Sequence, residues 1–350
     1  LYPKNYSECL VSVLPNDLSS VKTAKKLSML LKLSIQHRLK QMHWQTLLCG
    51  VVAALVIACN SSPPPVPSAS VDCRAVVHAS GETCVPNHLS RVVALGVPPL
   101  ANALTLGIKP IGSLLDLERP SPYLQGQLEG IEPVGTAGQP NLEKLMTLAP
   151  DLIIAMNTWD LTYEQLSQIA PTVVDDWQGY PSWKEHFDFV AEALGKADAA
   201  EQVWQSYDRR IQDLKTALGD TYQDQEISVV RICCKVLASD VENSFSGTIL
   251  GDAGLHRPPS QGNAEGGLVF FSEELLTELD GDIMFVILDE DEDSKQLFEQ
   301  LRKKPLWNQL NAVQQDRMYV VNLATWRGGN PLAAAAVIDD LFKYLTDKTS

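Results

Sequence analysis

Positive charge is scarce in this sequence: Lys and Arg number 28 of 350 residues against 43 Asp and Glu, a formal net charge of −15. Residues 1 to 58 hold seven of the basic residues and two of the acids, which leaves 21 basic and 41 acidic residues, or −20, for the rest. A chain of that sign is repelled by phosphate backbones and gains nothing from counterion release, which argues against nucleic acid as a partner. An anionic ligand would have to be held by a few placed cations. Histidine is scarcer still, and past residue 58 only His78, His88, His186 and His256 occur, with no helical or turn spacing that would converge two of them. Direct Mn or Zn binding therefore has little to build on. The sequence also lacks a Gly-x-Ser-x-Gly, a P-loop and a Gly-x-Gly-x-x-Gly, so no enzyme class is indicated and no cofactor is expected. Gly262 to Gly267 reads as a loop, and Asp289 to Asp293 as a solvated acidic cluster after a strand.

Long apolar runs are almost absent. The exception is Leu47 to Ala58, preceded by Arg38 and Lys40 and ended by Asn60-Ser61-Ser62-Pro63-Pro64-Pro65, too short for the roughly 20 apolar residues that a membrane helix requires. Its layout is that of a secretory signal. Val56-Ile57-Ala58-Cys59 resembles the lipobox of bacterial lipoproteins, in which the Cys becomes the lipid-bearing first residue after cleavage. Residues 1–58 are thus expected to be an N-terminal extension and lipoprotein signal peptide, with translation starting at Met29 or Met42. Residues 59–72 read as a flexible Pro/Ser tether. Among seven cysteines, Cys73 and Cys84 flank a predicted short hairpin and should pair in an oxidising compartment. Cys233 and Cys234 are adjacent, and in a strand their side chains would face opposite sides, against a vicinal disulfide.

Beyond the hairpin, strand-like runs alternate with helical patterns, the mark of α/β architecture. The first series comprises strands at Arg91 to Leu95, Lys109 to Ser113, Asp151 to Ala155 and Thr172 to Asp175. Helices are predicted between them at Pro98 to Leu106, Asn141 to Leu148 and Thr162 to Ile169. Helices at Trp183 to Gly195 and Ala199 to Leu218 follow, the second long and amphipathic, with Val203, Tyr207, Ile211, Leu214 and Leu218 at helical spacing. The second series has strands at Ile227 to Ile232, Ile283 to Leu288 and Met318 to Asn322, with helices at Ser246 to Ala253, Glu273 to Leu279 and Pro331 to Leu345.

The two series are related. Asn141-Leu142-Glu143 with Leu145, Leu148 and Asp151-Leu152-Ile153-Ile154 matches Ser272-Glu273-Glu274 with Leu276, Leu279 and Asp282-Ile283-Met284-Phe285, each pair separated by the same interval. In each copy a capping residue opens a short helix that runs into a buried strand. Two similar Rossmann-like lobes joined by one long helix are expected: residues 73–196 as hairpin and first lobe, 197–220 as the joining helix, 221–350 as the second lobe. Such a chain has a cleft between lobes, the usual place for a small-molecule site.

With these features on the page, the sequence resembles the helical-backbone (class III) binding proteins of ABC transporters, which carry ferric siderophores, haem or cobalamin. Val229-Val230-Arg231, Ser244-Phe245-Ser246-Gly247-Thr248, Asp252-Ala253-Gly254-Leu255, Arg257-Pro258-Pro259 and Trp326-Arg327-Gly328-Gly329-Asn330-Pro331 resemble the iron-siderophore branch, notably its cyanobacterial members. The resemblance runs from Cys73 to Leu345. It implies an extracytoplasmic monomer, lipid-anchored through Cys59 in the periplasm, whose bound ligand is a ferric siderophore; haem or cobalamin is the alternative. It also implies that Glu143 and Glu274, in the first turns of equivalent helices, pair with arginines on a permease dimer, although an acid there also stabilises a helix by about 0.3–1 kcal/mol.

Ligand contacts are expected from loops at the carboxyl ends of strands. Arg231 and Arg327 can bind carboxylates bidentately while Trp326, Trp159, Tyr180 and Trp183 cover apolar stems. Asn330 and Pro331 suit the cap and first position of the last helix. Modest closure is expected, because a continuous helix resists hinge bending.

The lipobox reading has a direct check: labelled palmitate is incorporated into the protein in a bacterial host, and Cys59→Ala abolishes that label. Labelling that survives the substitution removes Cys59 as the anchor.

Overall fold

The computed structural model describes residues 72–115, 119–136, 139–157 and 163–346. The residues read as signal peptide, nearly all of the expected tether, Cys59 and Trp159 lie outside them. Among the described residues no helix is long and apolar enough to cross a membrane.

The chain begins with the hairpin β1 (Cys73–His78) and β2 (Gly81–Pro86), in antiparallel register with Ala75 opposite Cys84, and Cys73 and Cys84 form a disulfide across it. Val76 and Val85 bury one face of the hairpin against the first lobe, and the Ala79 amide donates to the Val174 carbonyl at 2.9 Å.

That lobe is a five-stranded parallel sheet, ordered β5-β4-β3-β8-β9 from β3 (Val92–Ala94), β4 (Gly112–Ser113), β5 (Glu132–Pro133), β8 (Leu152–Met156) and β9 (Thr172–Asp175); β6 (Gly135–Thr136) and β7 (Gln139–Pro140) form a small separate ribbon. Every residue of β8 is buried. Leu152 and Ile154 enter the core on one face, while Ile153 and Ala155 enter the other, which is why the strand reads as an unbroken apolar run. Helices α1 (Val97–Thr105), α2 (Leu142–Leu148) and α3 (Tyr163–Ser167) connect these strands, and α4 (Trp183–Leu194) follows β9.

The second lobe is also five-stranded, ordered β12-β11-β10-β13-β14 from β10 (Ile227–Cys233), β11 (Val236–Asp240), β12 (Leu268–Phe271), β13 (Ile283–Leu288) and β14 (Met318–Asn322). β10, β13 and β14 are parallel and match β3, β8 and β9 of the first lobe, so the repeat read in sequence corresponds to the same strand trio in both. The match ends at the outer edge. Where the first lobe adds β4 in parallel through a helix, the second adds β11 and β12 antiparallel, so its sheet is mixed.

β10 and β11 are joined by a two-residue turn in which Cys234 (φ 56°) and Lys235 (φ 65°) both take left-handed conformations. This is the geometry that matches strand twist in a tight hairpin, and it is usually supplied by Asn-Gly or Asp-Gly. Cys234 therefore sits in a turn, and the premise that both adjacent cysteines lie in one strand is corrected. A second correction concerns Glu273–Leu279. It is a 3-10 segment kinked at Leu275, and the Ser272 side chain caps no backbone amide, whereas Asn141 accepts from the Lys144 amide at 3.0 Å to cap α2.

Helix α5 (Ala197–Leu218) joins the lobes. Its first turns put Ala200, with Val203 and Trp204, against the first lobe's core, and its later turns put Tyr207, Ile211, Leu214 and Leu218 into the core of the second. The chain then continues through α6 (Phe245–Asp252), α7 (Glu292–Leu301), the short α8 (Asn311–Gln314) and α9 (Leu323–Trp326), and ends in α10 (Pro331–Leu345). α10 packs along α5 and also touches α1 of the first lobe. The α7 helix was unread in sequence, where its N-terminal acids looked like a surface cluster; Asp291 caps it, accepting from the Ser294 amide at 2.9 Å.

Candidate ligand-binding site

The site grows from the register of β10 on β11. Arg231 lies opposite Ala238, so Asp240, two residues further along, is the diagonal neighbour on the same face of the sheet and within reach of a long side chain. That face also carries Ile227 and Val229, packed under α6 and α10, so Arg231 continues an apolar row into the carboxyl end of the sheet. Its side chain is fully buried. Arg231 Nη1 lies 3.2 Å from Asp240 Oδ1, and Arg327 Nε lies 3.6 Å from Asp240 Oδ2. Burial lowers the Arg231 pKa, the Arg327 charge lowers it further, and Asp240 opposes both.

Arg327 follows α9, in the Gly-Gly loop that precedes α10. Its guanidinium carbon lies 4.2 Å from the centre of the Tyr180 ring, a cation–π contact that reaches from the second lobe to the 3-10 turn Tyr180–Ser182 of the first. Gly329 makes this approach possible: it has φ 62°, and a Cβ there would lie 3.2 Å from both Trp177 and Tyr180. Asn330 caps α10, accepting from the Ala333 amide at 3.0 Å, and its Nδ2 donates to the Tyr123 hydroxyl at 3.2 Å across the same seam. Burial pushes the Tyr123 hydroxyl pKa up. Beside Arg327 lies a narrow crevice lined by Tyr180, Asp240, Ser244, Ser246, Gly267 and Trp326 among others, too tight to admit a water molecule, so a chelate enters only if this seam opens.

The structure brings Arg231, Arg327 and Tyr180 together, with Trp326 bordering the same crevice as Arg327 and Tyr180, while Trp183 packs away from it. Trp326 is fully buried: its ring centre is 4.6 Å from that of Phe285, and its Nε1 donates to Asp340 Oδ2 at 2.8 Å. Trp183 is likewise fully buried among Trp204, Tyr207 and Phe245, and its Nε1 donates to Thr248 Oγ1 at 3.0 Å. In the closed arrangement both rings pack into the core, and Trp326 also borders the crevice beside Arg327. Each sits at a helix end beside polar loops, which is where a ligand-facing tryptophan would also sit, so sequence alone does not separate the two cases. Asp240, Tyr123 and Trp177 were missed. Asp240 was hidden with its strand, and Trp177 carries no motif.

Among the described residues no group of three or more His, Cys, Asp or Glu is arranged to hold a metal ion. His78 pairs with Thr83 Oγ1 at 2.9 Å within the hairpin, and His186 Nδ1 with Asp175 Oδ2 at 2.7 Å beneath Trp177.

Glu143 and Glu274 are both exposed, one on each lobe. Each opens a helical segment that runs directly into a parallel strand of its lobe. The Ser272 hydroxyl and the local backbone hold the Glu274 carboxyl below the usual carboxylate range.

Two helix-joined lobes with a cationic seam define a solute-binding protein, and comparison with known proteins identifies its family. Residues 120–322 match the model of the periplasmic binding protein family, and the chain belongs to it. It is a binding protein of that family and not an enzyme. The chain is 31% identical over 320 residues to the probable siderophore-binding lipoprotein YfiY of Bacillus subtilis (strain 168), covering 86% of this chain and 98% of that one. It is 31% identical over 261 residues to the achromobactin-binding periplasmic protein of Dickeya dadantii (strain 3937), covering 72% and 85%. Among solved structures it is similar to Staphylococcus aureus SirA complexed with staphyloferrin B, with a TM-score of 0.69 and 27% identity over 78% of this chain and 98% of that one.

A core role for Trp326 carries its own test. Trp326→Ala removes a fully buried ring and is expected to cost about 3–5 kcal/mol in chemical denaturation. A substitution that leaves stability intact and abolishes ligand binding restores the contact role.

Proposed function

We propose that this protein is the extracytoplasmic solute-binding component of an ABC importer, which captures an anionic ferric siderophore between its lobes and delivers it to the permease. The observation that carries the reading is the guanidinium pair Arg231 and Arg327 at the inter-lobe seam of a strongly acidic chain. Elsewhere the surface repels anions; here Arg327 lines a crevice with Tyr180, Asp240 and the hydroxyls of Ser244 and Ser246, and Arg231 is buried against Asp240. Relatives named for binding siderophores support it, and the acidic surface argues that selection of the anion is local.

In this reading the siderophore supplies all the iron ligands, and the protein contributes charge, hydrogen bonds and aromatic cover. Arg327 meets the carboxylates or metal-bound oxygens of the chelate first, since its side chain is 10% exposed while Arg231 is wholly covered. Movement at the Tyr180 and Gly329 contacts then opens the seam to Arg231. Because α5 belongs to both cores, closure is a small relative displacement and not a wide hinge. Trp159 is a further ligand contact in the first lobe. Glu143 and Glu274, one per lobe, dock the loaded protein on two permease subunits, and the lipid on Cys59 keeps it at the membrane with the permease as a monomer.

Titration of the purified protein by tryptophan fluorescence tests the ligand class. Ferric citrate is expected to bind, with Arg327→Gln and Arg231→Gln each weakening it by about tenfold or more through loss of charge-assisted bonds. Binding of haem or cobalamin alone would sink the siderophore reading. For docking, reversing Glu143 and Glu274 to Lys together is expected to abolish uptake in cells while ligand affinity stays within about twofold of the parent, as expected for surface substitutions; a lost affinity places those residues elsewhere in the mechanism.

A further inference from the structure

Asp240 is in contact with both guanidiniums of the seam, and its geometry is unusual for an ion pair. Its side chain is 4% exposed and that of Arg231 is 0% exposed. Yet Nε, Nη1 and Nη2 of Arg231 make no hydrogen bond, and neither does Asp240 Oδ2. A buried guanidinium normally meets a carboxylate as a two-toothed fork. Here the 3.2 Å approach of Nη1 to Oδ1 lacks the direction of a hydrogen bond, and the 3.6 Å approach of Arg327 Nε to Oδ2 is longer still. The attraction to Arg231 is Coulombic and poorly aligned, so the Arg231 guanidinium keeps the capacity to take a better-placed oxyanion.

Asp240 is held where it stands by other groups. Arg257 Nη2 donates to its backbone carbonyl at 2.7 Å, and Gln261 Oε1 accepts from the same nitrogen and from the Val229 amide. The β11 and β12 register adds the pairing of Asp240 with Leu268. The carboxylate is therefore a fixed charge at the pocket wall, flanked by the guanidiniums of Arg231 and Arg327 and, on its backbone side, by that of Arg257.

We propose that Asp240 is a specificity-determining residue, an internal counter-anion that neutralises Arg231 and Arg327 until a ligand oxyanion competes for them, and whose charge sets the ligand charge the site accepts. The inference rests on the reading of the seam as an anion-binding site. A ligand of higher negative charge gains from both arginines but meets Asp240, so the residue discriminates against excess negative charge at the cost of affinity.

Asp240→Asn removes the charge and keeps the shape. The variant is expected to melt several degrees below the parent in chloride buffer, since two buried cations lose their partner, and to recover on adding millimolar iron-free citrate, to which the parent responds less. Its affinity for ferric citrate should rise by about tenfold, while Asp240→Glu, which keeps the charge, stays within about threefold of the parent. A melting point of Asp240→Asn that ignores citrate, or, where the parent binds ferric citrate, no gain in affinity, overturns the proposal. If Asp240→Asn cannot be purified, the double variant Arg231→Gln with Asp240→Asn, of the same net charge as the parent cluster, must bind ferric citrate more tightly than Arg231→Gln alone; equal or weaker binding overturns the proposal too. Citrate rescue of Asp240→Asn in a protein that binds no ferric chelate retires the siderophore reading and keeps this one. Ferric citrate bound equally by parent and variant does the reverse.

Discussion

One helix is shared by two cores, and the rest of the molecule is arranged around that constraint. Ala200, Val203 and Trp204 belong with the first lobe, while Tyr207, Ile211, Leu214 and Leu218 belong with the second, along a single run of 22 residues about 33 Å long. Neither lobe can rotate far without unpacking its own side of the helix. Cores are packed at crystal-like density, so such a motion loses contacts at once. The polar bonds across the junction act in the same sense: Lys184 pairs with Asp252 at 2.7 Å, and Asp252 also accepts from the Tyr207 hydroxyl at 2.6 Å. A cleft closed by so stiff a junction must select its ligand through local chemistry at the seam.

That chemistry is dominated by the cost of burying charge. A guanidinium taken wholly out of water carries a penalty of several kcal/mol unless a partner returns most of it. Arg231 bears that cost with Asp240 as its partner and Arg327 as a like-charged neighbour, which is why its pKa is driven down. The second lobe provides the carboxylate by adding β11 through a hairpin, where the first lobe adds β4 through a helix. The departure from symmetry between the lobes is thus the feature that builds the charged half of the site. The first lobe supplies aromatic surface in return, with Trp177 and Tyr180 against Gly329 and Arg327.

Much of the scaffold was legible before any coordinates. β9, β13, β14 and α10 coincide with their predicted ranges, because each combines an apolar pattern of the right period with a clear boundary: Asp282 before β13, Asn330-Pro331 before α10. The interval between Asn141 and Ser272 exposed the repeat. What failed was turn chemistry and side-chain direction. A tight hairpin turn made from Cys234 and Lys235 has none of the glycine or asparagine that marks such turns, so β11 and Asp240 went unseen. Trp183 and Trp326 were placed correctly along the chain, but whether an indole turns into a core or a cleft depends on what packs above it.

By itself the sequence determined the two-lobed α/β plan, the linking helix, the repeat that relates the lobes, and the cations Arg231 and Arg327 as candidates, because hydrophobic periodicity, caps and overall charge are local properties of the chain. Tertiary structure alone decided that Asp240 stands between those cations, that Tyr180 and Tyr123 reach across from the other lobe, and that two tryptophans are core. Each of these depends on strand register or on contacts between residues far apart in the chain, and neither is written in the pattern of any one segment.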